Sequence, residues 1–187
     1  MCNKSGFTLL EILVAVAIFA LLATFVVPRL FVSKPKEVRE KFIGQLNSLM
    51  NFAWQNAMFS GKVHEVAFSF KKKQVFLKRA GEKDKYGKVK YMPVKRMNIK
   101  TEIKIPSQFE FRNFYINSKG TNMIDAMPTA GKEGEVFFFV IPDGLSQEVV
   151  INFFDAKDKI ARRKRAFSLV LNPFSAQFEV YDEFKKP

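Results

Sequence analysis

The chain has 187 residues, with 31 Lys or Arg against 18 Asp or Glu, and its formal net charge at pH 7 is +13. Because Cys2 is the single cysteine and His64 the single histidine, an intramolecular disulfide and a metal site built from several thiolates or imidazoles are excluded. The charge favours anionic partners such as nucleic acid, lipid head groups or acidic proteins, but does not choose among them.

An apolar run close to the start of the chain is the first predicted element. From residue 7 to residue 27, a stretch of 21 residues, the only charged side chain is Glu11. As a helix this stretch would be about 32 Å long at about 1.5 Å per residue, which matches the ~30 Å hydrocarbon core of a bilayer. A carboxylate near the centre of a membrane costs about 2.5–3.5 kcal/mol, so we expect Glu11 to have a partner.

The N-terminal residues also form a specific motif. It consists of Lys4-Ser5-Gly6-Phe7-Thr8-Leu9-Leu10-Glu11, the apolar run and Pro28. This arrangement resembles the class III signal of type IV pilins and type II secretion pseudopilins. The resemblance implies that the prepilin peptidase cuts after Gly6 and methylates the new N-terminal Phe7. It also implies that the exposed helix packs subunits into a filament.

Glu11 gains a chemically suitable partner under this interpretation. Cleavage leaves a positive amine at Phe7, and in a staggered helical bundle that amine would come from the neighbouring subunit, so Glu11 is predicted to act in filament assembly. An ordinary secretory signal peptide and a signal-anchor helix with an accidental Glu are the alternatives. The signal peptide is disfavoured because the apolar run exceeds the usual 7–15 residues and contains a carboxylate, and because no small-residue cleavage site ends it.

A second helix is predicted after the apolar run. Pro28 and Pro35 each remove a backbone donor and should bend or break the chain. Ser33 is the predicted N-cap of the restarted helix, with Glu37 near the positive end of its dipole. Gly61 is the predicted C-terminal stop.

One face of this second helix is apolar. The residues that recur there at three- and four-residue spacing are Val38, Phe42, Leu46, Leu49, Met50, Ala53 and Ala57. The polar residues that fall elsewhere are Lys36, Arg39, Glu40 and Gln45. We expect the apolar stripe to pack on the strands that follow.

Strands are predicted in the rest of the chain. Alternation over residues 65–70 and the run Val75-Phe76-Leu77 indicate a hairpin around the turn Lys71-Lys72-Lys73. Residues 78–100 hold nine basic and two acidic residues, which indicates a solvated loop or a ragged edge hairpin. Strands are also predicted over residues 99–105 and around 109–111, and a polar loop over residues 117–133.

The last third of the chain is the clearest β region. Residues 136–141 are continuously apolar, which is typical of a strand covered on both faces. Pro142-Asp143-Gly144 is a strong turn signal. Alternating strands are predicted over residues 149–153 and 167–171, with a basic loop between them, and a final strand over 178–180.

A helix followed by a run of strands is an α+β arrangement, here a long N-terminal hydrophobic helix packed on a C-terminal antiparallel β head. Small residues late in the second helix are followed by a hairpin, and Phe139-Val140-Ile141-Pro142-Asp143-Gly144 precedes two closing strands. This order resembles the H-type minor pseudopilin and FimT-like branch of the pilin-like family. One departure is the final turn, Asn172-Pro173-Phe174-Ser175, where that branch commonly carries glycine.

The resemblance implies three segments. They are a prepilin leader at residues 1–6, a transmembrane and stalk helix at 7–61, and a periplasmic β-rich head at 62–187. The protein would then be a single-pass protein of the bacterial inner membrane with its head in the periplasm. Its implied partners are other pseudopilins or pilins, the inner-membrane assembly platform and the prepilin peptidase, and no cofactor is expected.

No catalytic site is predicted. His64 is interpreted as a surface residue at the start of a strand, and the sequence offers no cysteine nucleophile in the head, no metal-ligand cluster and no glycine-rich phosphate loop. Four acidic residues are spread over turns, where capping and solubility explain them: Asp143, Glu148, Asp155 and Asp158. The sequence therefore predicts a protein that is not an enzyme.

Two functions are compatible with these features. The favoured one is a structural minor pseudopilin, assembled through its N-terminal helix into or at the tip of the periplasmic pseudopilus of a type II secretion system. The alternative is a minor type IV pilin whose basic head binds DNA during uptake, with Arg162-Arg163-Lys164-Arg165 as the candidate contact. For that tetrad a solvated loop in a lysine-rich chain is the preferred interpretation.

Overall fold

The structure is a computed structural model that describes residues 9–31, 34–94, 99–117, 119–122, 134–160 and 163–187, of which 25–31, 119–122 and 160 are described by their backbone alone. Two helices precede the strands in this part of the chain, α1 (Leu9–Phe31) and α2 (Pro35–Ser60). The strands are β1 (His64–Ser69), β2 (Gln74–Lys83), β3 (Val89–Pro93), β4 (Glu102–Lys104), β5 (Phe109–Ile116), β6 (Lys119–Asn122), β7 (Glu135–Val140), β8 (Val149–Ile160), β9 (Arg163–Asn172) and β10 (Gln177–Tyr181). The predicted α+β class is confirmed.

The interruption between the two helices lies at Pro35. Helix α1 passes through Pro28, whereas α2 begins at Pro35, in the first turn where a missing N–H removes no hydrogen bond. Its N-cap is Lys34, in extended backbone at φ −64° and ψ 142°, and the Lys34 N–H donates to the Glu37 carboxylate at 3.4 Å. The prediction of Ser33 as N-cap is wrong by one position, and Ser33 itself lies outside the described residues.

The predicted membrane span covers residues 7–27, whereas the side chains of α1 are described from residue 9 to residue 24. Within the described residues, none of the helices is long and apolar enough to cross a membrane.

Helix α2 buries its predicted apolar stripe, except for Val38, which is half-buried. Arg39 was assigned to the polar side, and this is wrong because only 6% of it is exposed. Its guanidinium lies 5.5 Å from the centre of the Phe167 ring and 3.5 Å from the Asp182 carboxylate. A long side chain can cover apolar surface with its stem while its charged end finds an anion. Gly61, at φ 61°, ends the helix as predicted.

The strands form two antiparallel sheets. The first has the order β3-β2-β1-β7, with β4 also paired to β2, and the second has the order β10-β9-β8-β5-β6. Inner-face side chains of both sheets and the apolar stripe of α2 form one core. Its centre contains Phe42, Phe109, Phe153 and Phe167, with ring centres 5.6 Å apart between Phe42 and Phe109 and 5.2 Å apart in the stacked pair Phe153–Phe167. Aromatic pairs of this kind contribute about 0.5–1.5 kcal/mol beyond the area they bury.

The most apolar strand is not the most buried one. Strand β7 was predicted to be covered on both faces, but it is the last strand of its sheet. As a result Phe137 is 43% exposed and Phe139 is half-buried. Strand β1, whose sequence alternates, has all six side chains buried because it lies between β2 and β7. Position in the sheet therefore overrides the hydrophobic pattern of the strand.

Other predicted strands differ from the structure in their length. Strands β2 and β3 form an edge hairpin, which was one of the two alternatives for the basic segment 78–100. Strand β4 covers residues 102–104, whereas a strand was predicted over 99–105. Ile99 is exposed, and Ile103 and Ile105 are buried. Strand β6 occupies part of the predicted loop over 117–133, and residues 123–133 of that loop lie outside the described residues.

Candidate assembly and anion-binding surfaces

The surface of α1 is apolar. Every described side chain of this helix is exposed, and all except Glu11 and Thr24 are apolar. Leu9 is 82% exposed and Phe19 73%. A helix that is apolar all round is stable in a membrane or among other helices, because water solvates it poorly. The helix thus presents an apolar surface, suited to lipid or to other helices, on all sides of its described part.

Glu11 lies in the first turn of α1 and is exposed. A carboxylate at that position is stabilised by the positive end of the helix dipole. The peptidase site predicted at Gly6 and Phe7 lies outside the described residues, so its role stays a prediction, as does the role of Glu11 in assembly.

Two polar side chains fasten α2 to the head. The Asn47 amide group accepts the Phe178 N–H at 2.7 Å and donates to the Phe178 carbonyl at 3.1 Å. The Trp54 indole N–H donates to the Gly144 carbonyl at 2.6 Å. Strand β10 ends its sheet, so Asn47 satisfies backbone groups that no neighbouring strand pairs.

The apolar spacing along α2 predicts neither the Asn47 contact nor the Trp54 contact. The turn that Trp54 contacts, however, was recognisable in the sequence. Pro142-Asp143-Gly144 forms the predicted turn, in which Gly144 adopts φ 80° and its N–H donates to the Ile141 carbonyl at 3.2 Å. A Cβ on Gly144 would lie 3.5 Å from both the Trp54 ring nitrogen and the Met58 sulfur. The turn therefore needs its glycine for backbone conformation, and it meets α2 closely.

The predicted basic tetrad is not a free cluster on a loop. Arg163, Lys164 and Arg165 lie on β9, which corrects the predicted loop, and Arg162 lies outside the described residues. Lys164 pairs with Glu110 at 2.6 Å. Arg165 pairs with Asp182 at 2.6 Å and with Asp158 at 3.5 Å. Asp158 lies on β8, Glu110 on β5 and Asp182 directly after β10, so the folded sheet brings these acids next to the basic residues, and the sequence spacing does not reveal this.

Asp182 joins the tetrad to α2. Its carboxylate accepts a hydrogen bond from Arg165 and lies 3.5 Å from Arg39. The hydrogen bond from Arg165, which outweighs the effect of burial, lowers the pKa of Asp182 below its ordinary value. The same hydrogen bond raises the pKa of Arg165. The ion pair of Arg165 with Asp182 therefore joins β9 to the C-terminal tail, and Asp182 also joins the tail to α2 through Arg39.

The C-terminal tail lies over the outer face of the second sheet. The Asn152 amide donates to the Lys185 carbonyl at 3.0 Å, and the Lys185 N–H donates to the Ser168 hydroxyl at 2.9 Å. The Ser168 oxygen is also 2.6 Å from the Asn152 side-chain oxygen. The Phe184 ring packs edge-on against Phe154 at 4.9 Å. Asn152 and Ser168, both buried, are thus satisfied by each other and by the tail, for which the sequence contained no signal.

His64 is fully buried, so its assignment to the surface is wrong. The Nδ1–H donates to the Lys62 carbonyl at 2.9 Å, and within the described chain Nε2 has no hydrogen-bond partner. Burial lowers the pKa of His64, and the nearby positive charge of Arg79 lowers it further. The neutral imidazole is therefore the folded form near pH 7.

The described residues contain no group of three or more His, Cys, Asp or Glu that could hold a metal ion. A groove of about 600 Å³ runs beside α2, and its ionisable lining residues within the described chain are Lys41 and Lys100. Asp155, one of the acids assigned to turns, is buried and accepts from the Gln108 amide at 3.0 Å and from the Lys157 N–H at 3.0 Å. It lies on β8, so its assignment to a turn is wrong, although its carboxylate does accept backbone N–H groups as a cap would.

Comparison with known proteins gives the class of protein to which the N-terminal motif and the fold are similar. The prokaryotic N-terminal methylation motif matches residues 1–27, so the chain carries the N-methylation motif of type IV pilins and pseudopilins, followed by a pilin-like α+β fold. The chain is similar in fold to the minor pseudopilin EpsH from the type 2 secretion system of Vibrio cholerae, with a TM-score of 0.52 and 9% identity over 83% of this chain and 100% of that chain. A second EpsH structure from Vibrio cholerae gives a TM-score of 0.46 and 10% identity over 74% of this chain and 97% of that chain. No curated protein matches the sequence.

Proposed function

We propose that the protein is a non-enzymatic minor pseudopilin of a type II secretion system. It assembles through its N-terminal helix into or at the tip of the periplasmic pseudopilus. The observation that carries this proposal is α1, whose exposed apolar side chains, residues 9–24, lie within the methylation motif matched over residues 1–27. The fold shared with EpsH, a minor pseudopilin of such a system, supports it.

The proposal includes the location and the partners of the chain. Residues 1–6 are the leader, residues 7–61 are the transmembrane and stalk helix, and residues 62–187 form a head in the periplasm. The protein is anchored in the inner membrane by a single pass, with Glu11 of one subunit paired to the N-terminal amine of the next. Other pseudopilins and the inner-membrane platform are its assembly partners, and the prepilin peptidase is its processing enzyme.

Processing tests the proposal directly. Mass spectrometry of the protein extracted from membranes should find N-methylated Phe7 as the first residue, because the peptidase cuts after Gly6. The matched control is a Gly6→Leu variant, which should keep its leader. A chain that still begins at Met1, in a host with an active prepilin peptidase, would rule out the pseudopilin assignment.

The alternative, a minor pilin that binds DNA through its basic tetrad, gains no support from the contacts of that tetrad. Two of its three described members, Lys164 and Arg165, are held in ion pairs with Glu110, Asp158 and Asp182. A phosphate group would have to displace these carboxylates. The assembly role is therefore the function that we favour.

A further inference from the structure

A groove runs along one side of α2, between this helix and residues of the first sheet and its connections. It consists of two neighbouring cavities of about 600 Å³ and about 560 Å³, and both are lined by Phe52 and Gln55. Along α2 the groove extends from Lys41 to Ser60, which is about 28 Å at about 1.5 Å per residue. We call it the α2 groove. Its opposite wall is formed by Arg79, Val94, Ile99, Lys100 and Ile103.

The lining of the α2 groove combines apolar side chains with charges of one sign. Its ionisable members among the described residues are Lys41, Arg79 and Lys100, and all three are exposed. None of them makes an ion pair with another described residue, and Glu102 lines an adjoining cavity instead. The groove therefore favours an occupant that has both apolar and anionic groups. The apolar lining residues are Leu49, Phe52, Phe59, Val94, Ile99 and Ile103.

Gly44 leaves space at the α2 side of the groove. It lies in the interior of α2 and is exposed, and a Cβ there would have no described atom within 4 Å. A glycine in the middle of a helix costs about 0.5–1 kcal/mol relative to alanine, and packing among the described residues does not account for it. Ser48, one turn later, is also small, and its hydroxyl donates to the Gly44 carbonyl at 2.8 Å. A second helix could approach α2 closely here, since the side chains at a helix contact set the distance between the axes.

We propose that the α2 groove binds an acidic amphipathic helix of a neighbouring subunit. The apolar stripe of that helix packs on the groove floor, and its carboxylates pair with Lys41, Arg79 and Lys100. The proposal rests on the assembly function, because the neighbour is another pseudopilin. A second copy of this chain is disfavoured, since the acidic residues of its α2 are confined to the first two turns, at Glu37 and Glu40, whereas the cations of the groove lie at both of its ends.

Binding can be measured with the full chain in nanodiscs of zwitterionic lipid and a fluorescently labelled synthetic peptide. The peptide has about 19 residues, matched to the groove length, with leucine, alanine and glutamate arranged as an amphipathic helix. Gly44→Leu should weaken binding about tenfold, because the new side chain occupies the space that the helix needs. Ser48→Leu should act in the same way, so the test does not depend on one variant. The matched control Ser175→Leu places the same side chain at an exposed turn outside the groove and should bind like the wild type.

The charge contacts have their own test. The variant K41Q/R79Q/K100Q should weaken binding of the acidic peptide about tenfold or more, because it removes the cations that face the carboxylates. The control K71Q/K72Q/K157Q removes the same charge from exposed lysines outside the groove and should weaken binding less than about twofold. Thermal unfolding curves check that each variant is folded. Equal losses in the two triple variants would overturn the proposal, as would equally tight binding of a peptide with the same composition in a non-amphipathic order.

Crosslinking in cells that contain the other subunits separates this proposal from the assembly function. A photocrosslinking amino acid at the position of Ser48 should react with an acidic helix of another pseudopilin, identified by peptide mass spectrometry. The same amino acid at the position of Leu13, which is 61% exposed on α1, reports assembly itself. Crosslinks from position 13 without any from position 48 would contradict the groove contact and leave the assembly function standing, whereas loss of both would contradict the assembly function as well. A crosslink from position 48 to a second copy of this chain or to a non-helical segment would overturn the proposed occupant.

Discussion

At the scale of single residues, a substitution of Glu11 can separate the proposed role in filament assembly from insertion into the membrane. We expect Glu11→Ala to insert into the membrane at least as well as the wild type, because a carboxylate in hydrocarbon is removed. Its crosslinking to partner subunits should fall severalfold, because the proposed pairing with the neighbour's amine would set the axial register. Site-specific crosslinking in cells that contain the other subunits measures this yield.

Glu40→Ala is the matched control for Glu11, because Glu40 is an exposed carboxylate on the next helix and makes only a surface ion pair with Lys36 at 3.8 Å. It should crosslink as well as the wild type. If Glu11→Ala also crosslinks normally, Glu11 is not an assembly determinant, and the proposed amine pairing is wrong.

The buried and half-buried polar residues have partners that could not be predicted from the sequence pattern. Arg39, Asn47 and Ser168 each depend on a partner far along the chain, such as Asp182 for Arg39 and Lys185 for Ser168. A hydrophobic pattern assigns such residues to the surface, since it registers polarity and not the partner. The motif residues of the leader and the Pro142-Asp143-Gly144 turn were recognisable because their chemistry is local.

At the scale of elements, α2 is the part that joins the two sheets, and Asn47 is its most specific contact. Asn47→Ala leaves the Phe178 N–H and carbonyl at the edge of β10 without their partner. Unsatisfied, partly buried groups cost about 1–3 kcal/mol each, so we expect the free energy of unfolding to fall by about 2–3 kcal/mol. Urea unfolding of the full chain in detergent, followed by the fluorescence of Trp54, the single tryptophan, measures this loss.

Asn51→Ala is the control for this loss, because the Asn51 side chain is exposed and bonds only the Gln55 side chain at 3.1 Å. Its effect should stay within about 0.5 kcal/mol. Asn47→Asp should fall between the two, since it keeps the acceptor for the Phe178 N–H and loses the donor. Equal midpoints for Asn47→Ala and Asn51→Ala would show that the contact does not hold α2 to the head.

At the scale of the whole molecule, the sequence predicted the order of helix and strands better than their arrangement in sheets. The stripe of α2, its Gly61 stop and the class of the fold depend on local spacing, and these predictions are confirmed. Which strand is central depends on long-range pairing, so β7 was predicted to be covered on both faces, whereas β1 was predicted only as an alternating strand in a hairpin. The prediction that the basic tetrad lies on a solvated loop was wrong for the same reason. Its partners Glu110 and Asp182 are distant in sequence and come close to it only in the folded sheet.

The stability of the whole head should depend on pH through two groups with shifted pKa values. Burial lowers the pKa of His64 below its ordinary value of 6.5, so the unfolded chain binds more protons, and stability falls as pH drops below about 6.5. The Arg165 hydrogen bond lowers the pKa of Asp182 below its ordinary value of 3.8. Its contribution is present above about 3.8 and is lost as pH falls further.

Urea unfolding of the full chain at a series of pH values between 7 and 3 can separate these two effects. The wild type should lose up to about 1.4 kcal/mol per pH unit from His64 just below pH 6.5, the limit for one proton. His64→Gln does not titrate and should show a flatter curve between pH 6.5 and 5, whatever its absolute stability. Asp182→Asn should keep the His64 loss and lose less stability below pH 3.8. A His64→Gln curve parallel to that of the wild type would mean that His64 is not held neutral in the folded head.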